Sequence, residues 1–167
     1  VTTHVAIKDL PSLLTRMKIE RAIRLAQLAL TQLFGIKKPR IGIAALNPHA
    51  GEHGLFGDEE ARVILPAARA AQAKGINASD PLPADTLFGK AANGAYDGVV
   101  ALYHDQGLIP LKLMHFGTCV NLKVGLPILR TSVDHGTAFD IVGKGLADPG
   151  SLIEAITLAA QLAKKRR

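Results

Sequence analysis

The sequence has no tryptophan, one cysteine (Cys119) and only 4% aromatic residues in a length of 167. A single thiol cannot close an internal disulfide, which excludes a disulfide-stapled secreted scaffold and makes a reducing, cytoplasmic setting the expectation. Two tyrosines and five phenylalanines offer no base-stacking platform, so the excess of 20 Lys and Arg over 14 Asp and Glu does not read as a nucleic-acid surface. Part of that excess is the terminal run Lys164, Lys165, Arg166 and Arg167, with Lys37, Lys38 and Arg40 as a second group. A basic end to a helix complements the helix dipole and stays in solvent. No apolar run approaches the roughly 18 residues of a membrane span, and no basic segment leads into an apolar one at the start. An initiator Met is also missing, and the opening Val-Thr-Thr-His raises the expectation that this is a piece of a longer protein. Neither the strand-linked Gly-x-Gly-x-x-Gly of a Rossmann site nor the Gly-Lys-Ser/Thr of a P-loop occurs. There is no repeat and no Pro/Gly/Ser-rich linker, so residues 1–167 are read without an internal boundary.

What is present is an apolar fraction of 48%, enough for a packed core. Residues 12–34 place Leu14, Met17, Ala22, Leu25, Ala26, Leu28, Ala29 and Leu33 at helical spacing, with Gly35 as a stop. The run Arg40–Asn47 predicts a buried strand that delivers the loop Pro48–Gly57. A helix is predicted over 58–74, with acidic residues in its first turn and Gly75 as its stop. Pro81 and Pro83 read as punctuation in a connection, and a short helix over 86–92 leads to a second apolar strand, Tyr96–Tyr103, which ends at His104-Asp-Gln-Gly107. Two short strands over 118–124 and 128–133 and a final helix over 150–165 complete an alternating α/β pattern. In such sheets ligands bind beyond the carboxyl ends of the strands, where both polar strand ends lie.

Three of the six histidines, His4, His49 and His104, lie in loops or at strand ends among small and acidic residues. Imidazole is a common ligand for zinc-like ions, and three ligands with an open position make a catalytic site, so a three-histidine metal site stands beside ordinary hydrogen-bonded loop histidines. Lys112, Asn121 and Arg130 are candidates for holding an anion. A cation in the apolar neighbourhood of Arg130 needs a partner, either a substrate carboxylate or phosphate or an internal ion pair with Asp85, Asp105 or Asp134. Asp85 is equally a candidate helix cap. The stretch Asp134–Ser151 is rich in glycine and small residues, which let backbone N–H groups approach an anionic or planar ligand, and it reads as well as a plain loop leading into a helix cap.

Taken in order, Thr2-Thr3-His4, Leu46-Asn-Pro-His-Ala-Gly-Glu52, Pro81-Leu-Pro-Ala-Asp-Thr86, Tyr103-His-Asp-Gln-Gly107 and Gly125–Ala138 closely resemble the 4-hydroxythreonine-4-phosphate dehydrogenase family of pyridoxal phosphate biosynthesis. The resemblance covers essentially the whole chain and only the carboxyl-terminal half of the family. It implies an isocitrate/isopropylmalate dehydrogenase-like fold, three-layer α/β/α, present as a partial chain. It also implies a divalent metal (zinc, magnesium or cobalt) on His4, His49 and His104, and substrate contacts from Asp85, Lys112, Asn121 and Arg130. Asp105 and Lys112 would be the catalytic groups, and NAD or NADP would lie on His135, Gly136, Thr137, Ala138 and Asp148. Asp148 stands where relatives carry Asn. The implied reaction is oxidation of 4-phosphooxy-L-threonine in a homodimer whose metal ligands come from both subunits. The same motifs fit oxidation of 4-phospho-threonate or 4-phospho-erythronate, and a non-catalytic metal- or nucleotide-binding fragment is the reading from a different class. Half of such a site, without the family's substrate-binding His-Thr pair, is expected to turn over negligibly on its own.

Overall fold

A computed structural model describes residues 1–165 of the chain, so Arg166 and Arg167 of the basic terminus lie outside the described residues. The chain divides into two compact units, Val1–Pro110 and Leu111–Arg167, where the sequence shows no boundary signal. In the first unit a short helix α1 (Leu10–Leu13) precedes α2 (Arg16–Leu28), and Thr15 caps α2 by accepting the N–H of Lys18. Then come strand β1 (Ile41–Ala44), helix α3 (Leu65–Ala73), strand β2 (Ala78–Leu82), helix α4 (Ala84–Ala92), strand β3 (Gly98–Val100) and the start of α5 (His104–His115). The strands form one parallel sheet in the order β2-β1-β3.

The central strand shows why helices lie on both faces. Ile41 and Ile43 point into the core made with Ile19 and Ile23 of α2 and Ala67, Ala68 and Ala71 of α3. Gly42 points the other way, where a Cβ would stand 2.6 Å from Leu87 of α4 and 3.2 Å from Tyr96. A side chain at 42 would therefore push α4 off the sheet. Burial on both faces explains the unbroken apolar run of this strand.

Four expectations are corrected. The core face of α2 is carried by Ile19 and Ile23, whereas Met17 is 78% exposed. The segment around Pro81 is a strand and not merely a connection. β2 lies at the sheet edge, where a missing N–H is tolerated, and at the irregular step in its register the Ser79 hydroxyl accepts the N–H of Ile43 at 3.0 Å. His104 begins a helix, α5, and Pro110 lies inside it. The helix over 58–74 opens with a wide turn, Glu60–Ile64, before α3. That turn precedes Pro66, which has no N–H to close a regular ladder back to Arg62.

The second unit is an antiparallel hairpin, β4 (Val120–Lys123) with β5 (Arg130–Val133), packed against α6 (Gly150–Lys165). The Thr131 hydroxyl donates to the carbonyl of Ala155 at 2.9 Å, tying the hairpin to the helix. No helix of the described residues is long and apolar enough to cross a membrane.

Candidate functional site

In the first unit, candidate site side chains gather at the carboxyl ends of β1 and β3. Gln106, buried near the start of α5, ties the two ends together: its amide donates to the carbonyl of Ala45 (2.6 Å) and accepts the N–H of Leu102 (2.7 Å). Thr2 donates both its N–H (3.0 Å) and its hydroxyl (2.8 Å) to the carbonyl of Leu102. The amino-terminal segment thus runs beside the end of β3 and sets His4 against His104, with ring centroids 5.3 Å apart. His104 Nδ1 lies 2.7 Å from the carboxylate of Asp105. The pair lines a cleft of about 250 Å³ with Tyr103, Asp105 and Leu10.

His49 sits in the loop that follows β1. Backbone φ is positive at His49 (53°), Ala50 (55°), Gly51 (80°), Glu52 (41°) and His53 (58°), so Pro48–Gly54 is a single left-handed turn. Each non-glycine residue so placed costs about 1–2 kcal/mol. The turn is anchored by Glu60, whose buried carboxylate accepts the N–H groups of Leu46 and Asn47 (both 2.8 Å) and the side-chain amide of Asn47 (3.0 Å). Gly51 lies against that carboxylate, and a Cβ there would come within 2.8 Å of Glu60 Oε2. His49 is exposed on the turn, with Nδ1 3.1 Å from Glu52 and its ring edge-on to Phe56.

His4 and His104 are thus brought together and His49 is not gathered with them: among the described residues no group of three His, Cys, Asp or Glu side chains is placed to hold a metal. Asp85 lies in the first turn of α4, where its Oδ1 accepts the N–H of Thr86 at 2.9 Å. Glu60 lies outside the quoted motifs and Gln106 lies inside one without a role assigned to it; their burial beside the strand ends is what reveals them.

In the second unit Lys112 pairs with Asp134 at 3.3 Å, one of the internal ion pairs open to it from sequence. Asn121 and Arg130 stand on the exposed face of the hairpin, and the register sets Asn121 opposite Ser132 and Lys123 opposite Arg130. His135, Gly136, Thr137 and Ala138 are exposed in the following loop, where Ala138 has φ 50° and His135 Nδ1 lies 3.0 Å from the carbonyl of Gly136. Asp148 accepts the N–H of Gly150 at 2.8 Å, which holds the start of α6. Cys119 is buried, and burial pushes its thiol above the ordinary range, which disfavours the thiolate.

Residues 1–159 match the family model described as pyridoxal phosphate biosynthetic protein PdxA. A 4-hydroxythreonine-4-phosphate dehydrogenase of Geobacter metallireducens is 55% identical over 164 residues, 98% of this chain and 48% of the relative. The crystal structure of a 4-hydroxythreonine-4-phosphate dehydrogenase from Klebsiella pneumoniae superposes with a TM-score of 0.89 at 48% identity, over 97% of this chain and 49% of that one. A terephthalate 1,2-cis-dihydrodioldehydrogenase from Burkholderia xenovorans superposes at 0.76 with 42% identity, over 96% and 50%. The chain spans about half the length of the curated relatives it matches.

Proposed function

The chain belongs to the family of the pyridoxal phosphate biosynthetic protein PdxA, and from that premise we propose that it serves the NAD(P)-dependent oxidation of 4-phosphooxy-L-threonine at its C3 hydroxyl. The supporting observation is the His4–His104 pair in its cleft beyond the carboxyl end of β3, with Asp105 bonded to one ring. The donor set suits a divalent ion of the zinc, cobalt or magnesium group. Held by His4 and His104, such an ion would supply Lewis-acid stabilisation of the negative charge that develops on the substrate hydroxyl as its hydride leaves for NAD or NADP.

Asp105 holds the Nδ1 side of His104 and leaves Nε2 as the ligating nitrogen. Its second oxygen is the chain's own acceptor for the hydroxyl proton. His49, rigidly held on its left-handed turn but apart from the other two rings, is explained by a homodimer in which one subunit's His49 completes the ligand set of the other's His4 and His104. On the second unit, Arg130 and Asn121 take an anionic end of the substrate, and Lys112, held by Asp134, acts beside them. The glycine-rich loop from His135 to Asp148 gives a nicotinamide cofactor close access to backbone N–H groups. The oxidised product is a β-keto acid, and its loss of CO2 leaves 3-amino-2-oxopropyl phosphate.

Calorimetric titration of the chain with 4-phosphooxy-L-threonine in the presence of Co²⁺ tests this reading. Binding weakened about tenfold or more by His104→Ala, and likewise by Arg130→Ala, is expected. Binding indifferent to both substitutions, or tighter binding of 4-phospho-erythronate, overturns the assignment.

A further inference from the structure

The hairpin of the second unit sets two cations face to face. Lys123 and Arg130 are direct partners in the antiparallel register, one step beyond Asn121 and Ser132. Side chains alternate across a strand, so these four project from one face, while Thr131, on the other, bonds to Ala155 of α6. Like charges directly opposite one another destabilise a hairpin. Neither Lys123 nor Arg130 takes part in any ion pair among the described residues, and both are exposed. Lys112 differs, since Asp134 at 3.3 Å already balances its charge.

Charge balance then decides what the hairpin face suits. A carboxylate carries one negative charge and is matched by Arg130 alone. A phosphate monoester carries about −1.5 to −2 at neutral pH, with a second pKa near 6, and offers three acceptor oxygens. An arginine fork takes two of them and a lysine ammonium serves as a point charge for the third. We propose that Lys123 is a specificity-determining residue, which with Arg130 forms a two-cation cradle for the dianionic phosphate end of the substrate. The inference rests on the reading that Arg130 binds an anionic substrate group, and it adds which group that is and what supplies the second charge.

The test titrates the 167-residue chain with inorganic phosphate and with 4-phosphooxy-L-threonine, comparing Lys123→Met, Lys123→Arg and Arg130→Met. Lys123→Met is expected to weaken both ligands about tenfold or more, and Lys123→Arg to keep the original affinity, which a merely structural role would not restore. Without phosphate, Lys123→Met should melt no lower than the parent, because it removes a repulsion. Affinity for the phosphate monoester 4-phosphooxy-L-threonine should also rise as pH passes upward through about 6 in the parent, and rise less in Lys123→Met. Parental affinity in Lys123→Met alongside weakened Arg130→Met overturns the role of Lys123 and leaves the reading of Arg130 standing. Parental affinity in both overturns both, and weakening in Lys123→Met alone overturns the cradle by removing Arg130 from it.

Discussion

The two units of this chain treat similar side chains in opposite ways. In Val1–Pro110, three parallel strands with helices on both faces enclose a core that takes in Ile19, Ile23, Ile41, Ile43, Ile64 and Leu102. In Leu111–Arg167 a two-stranded hairpin meets one helix, and among the described residues its buried apolar side chains are Cys119, Ala155 and Leu162. Leu113, Phe116 and Phe139 there are 86%, 85% and 82% exposed. The difference is architectural: a sheet clad on both faces buries every residue of its central strand, while a hairpin with one helix buries one face. The contrast extends to the loops. A buried carboxylate with three N–H donors holds the turn that carries His49, whereas exposed single bonds hold the ends of the glycine-rich loop.

The contrast is tested most strongly in the cores. Ile43→Ala in the first unit should cost about 2–5 kcal/mol in denaturant unfolding, whereas Phe116→Ala in the second should stay within about 0.5 kcal/mol. Equal losses would mean that the second unit buries more than its accessibility shows. The loop anchors come next. Glu60→Ala strands three donors beside the strand end and should cost about 2–3 kcal/mol, with Glu60→Gln between it and the parent. Asp148→Ala, which loses one exposed bond at the start of α6, should cost about 1 kcal/mol or less. Equal costs would remove the distinction between the two loops.

The smallest effect lies at Asp97, which bonds the guanidinium of Arg40 at 2.9 and 3.1 Å and the Arg40 N–H at 2.7 Å. The Arg40 side chain foremost, then its backbone N–H, lowers the Asp97 carboxyl from 3.8 to about 2. A depressed carboxylate stabilises the fold fully above its ordinary value, and that contribution is lost as pH falls through about 2. Asp97→Asn should therefore shrink the difference in unfolding stability between about pH 5 and pH 2. An unchanged difference would show that the pair contributes nothing to the first unit.

Much of this architecture is legible in the sequence, and the exceptions have identifiable causes. β1 and β3 fall inside the apolar runs that predict them, and β4 and β5 inside the short strands expected over 118–124 and 128–133. β2 is hidden because Pro81 looks like a breaker until its edge position is known. α5 is hidden because Gly107 and Pro110 weaken its helical pattern. The motifs point to His4 and His104, but their adjacency arises from hydrogen bonds between Thr2 and Leu102, which spacing does not express. Lys123 is invisible for the same reason, since its opposition to Arg130 exists only once the register is set. The left-handed turn is hardest to read: Gly51 and Gly54 hint at it, but four of its six positive-φ positions are not glycine.

That turn also says something about chirality. His49, Ala50, Glu52 and His53 occupy backbone angles natural to D-amino acids, so over these positions the chain follows a mirror-image path with L-residues. Ala50, at φ 55° and ψ 40°, has no polar side-chain group to favour that path, and a D-alanine there would adopt it without the penalty. At this one loop the handedness of the α-carbon, more than the identity of the side chain, sets the local cost of presenting His49.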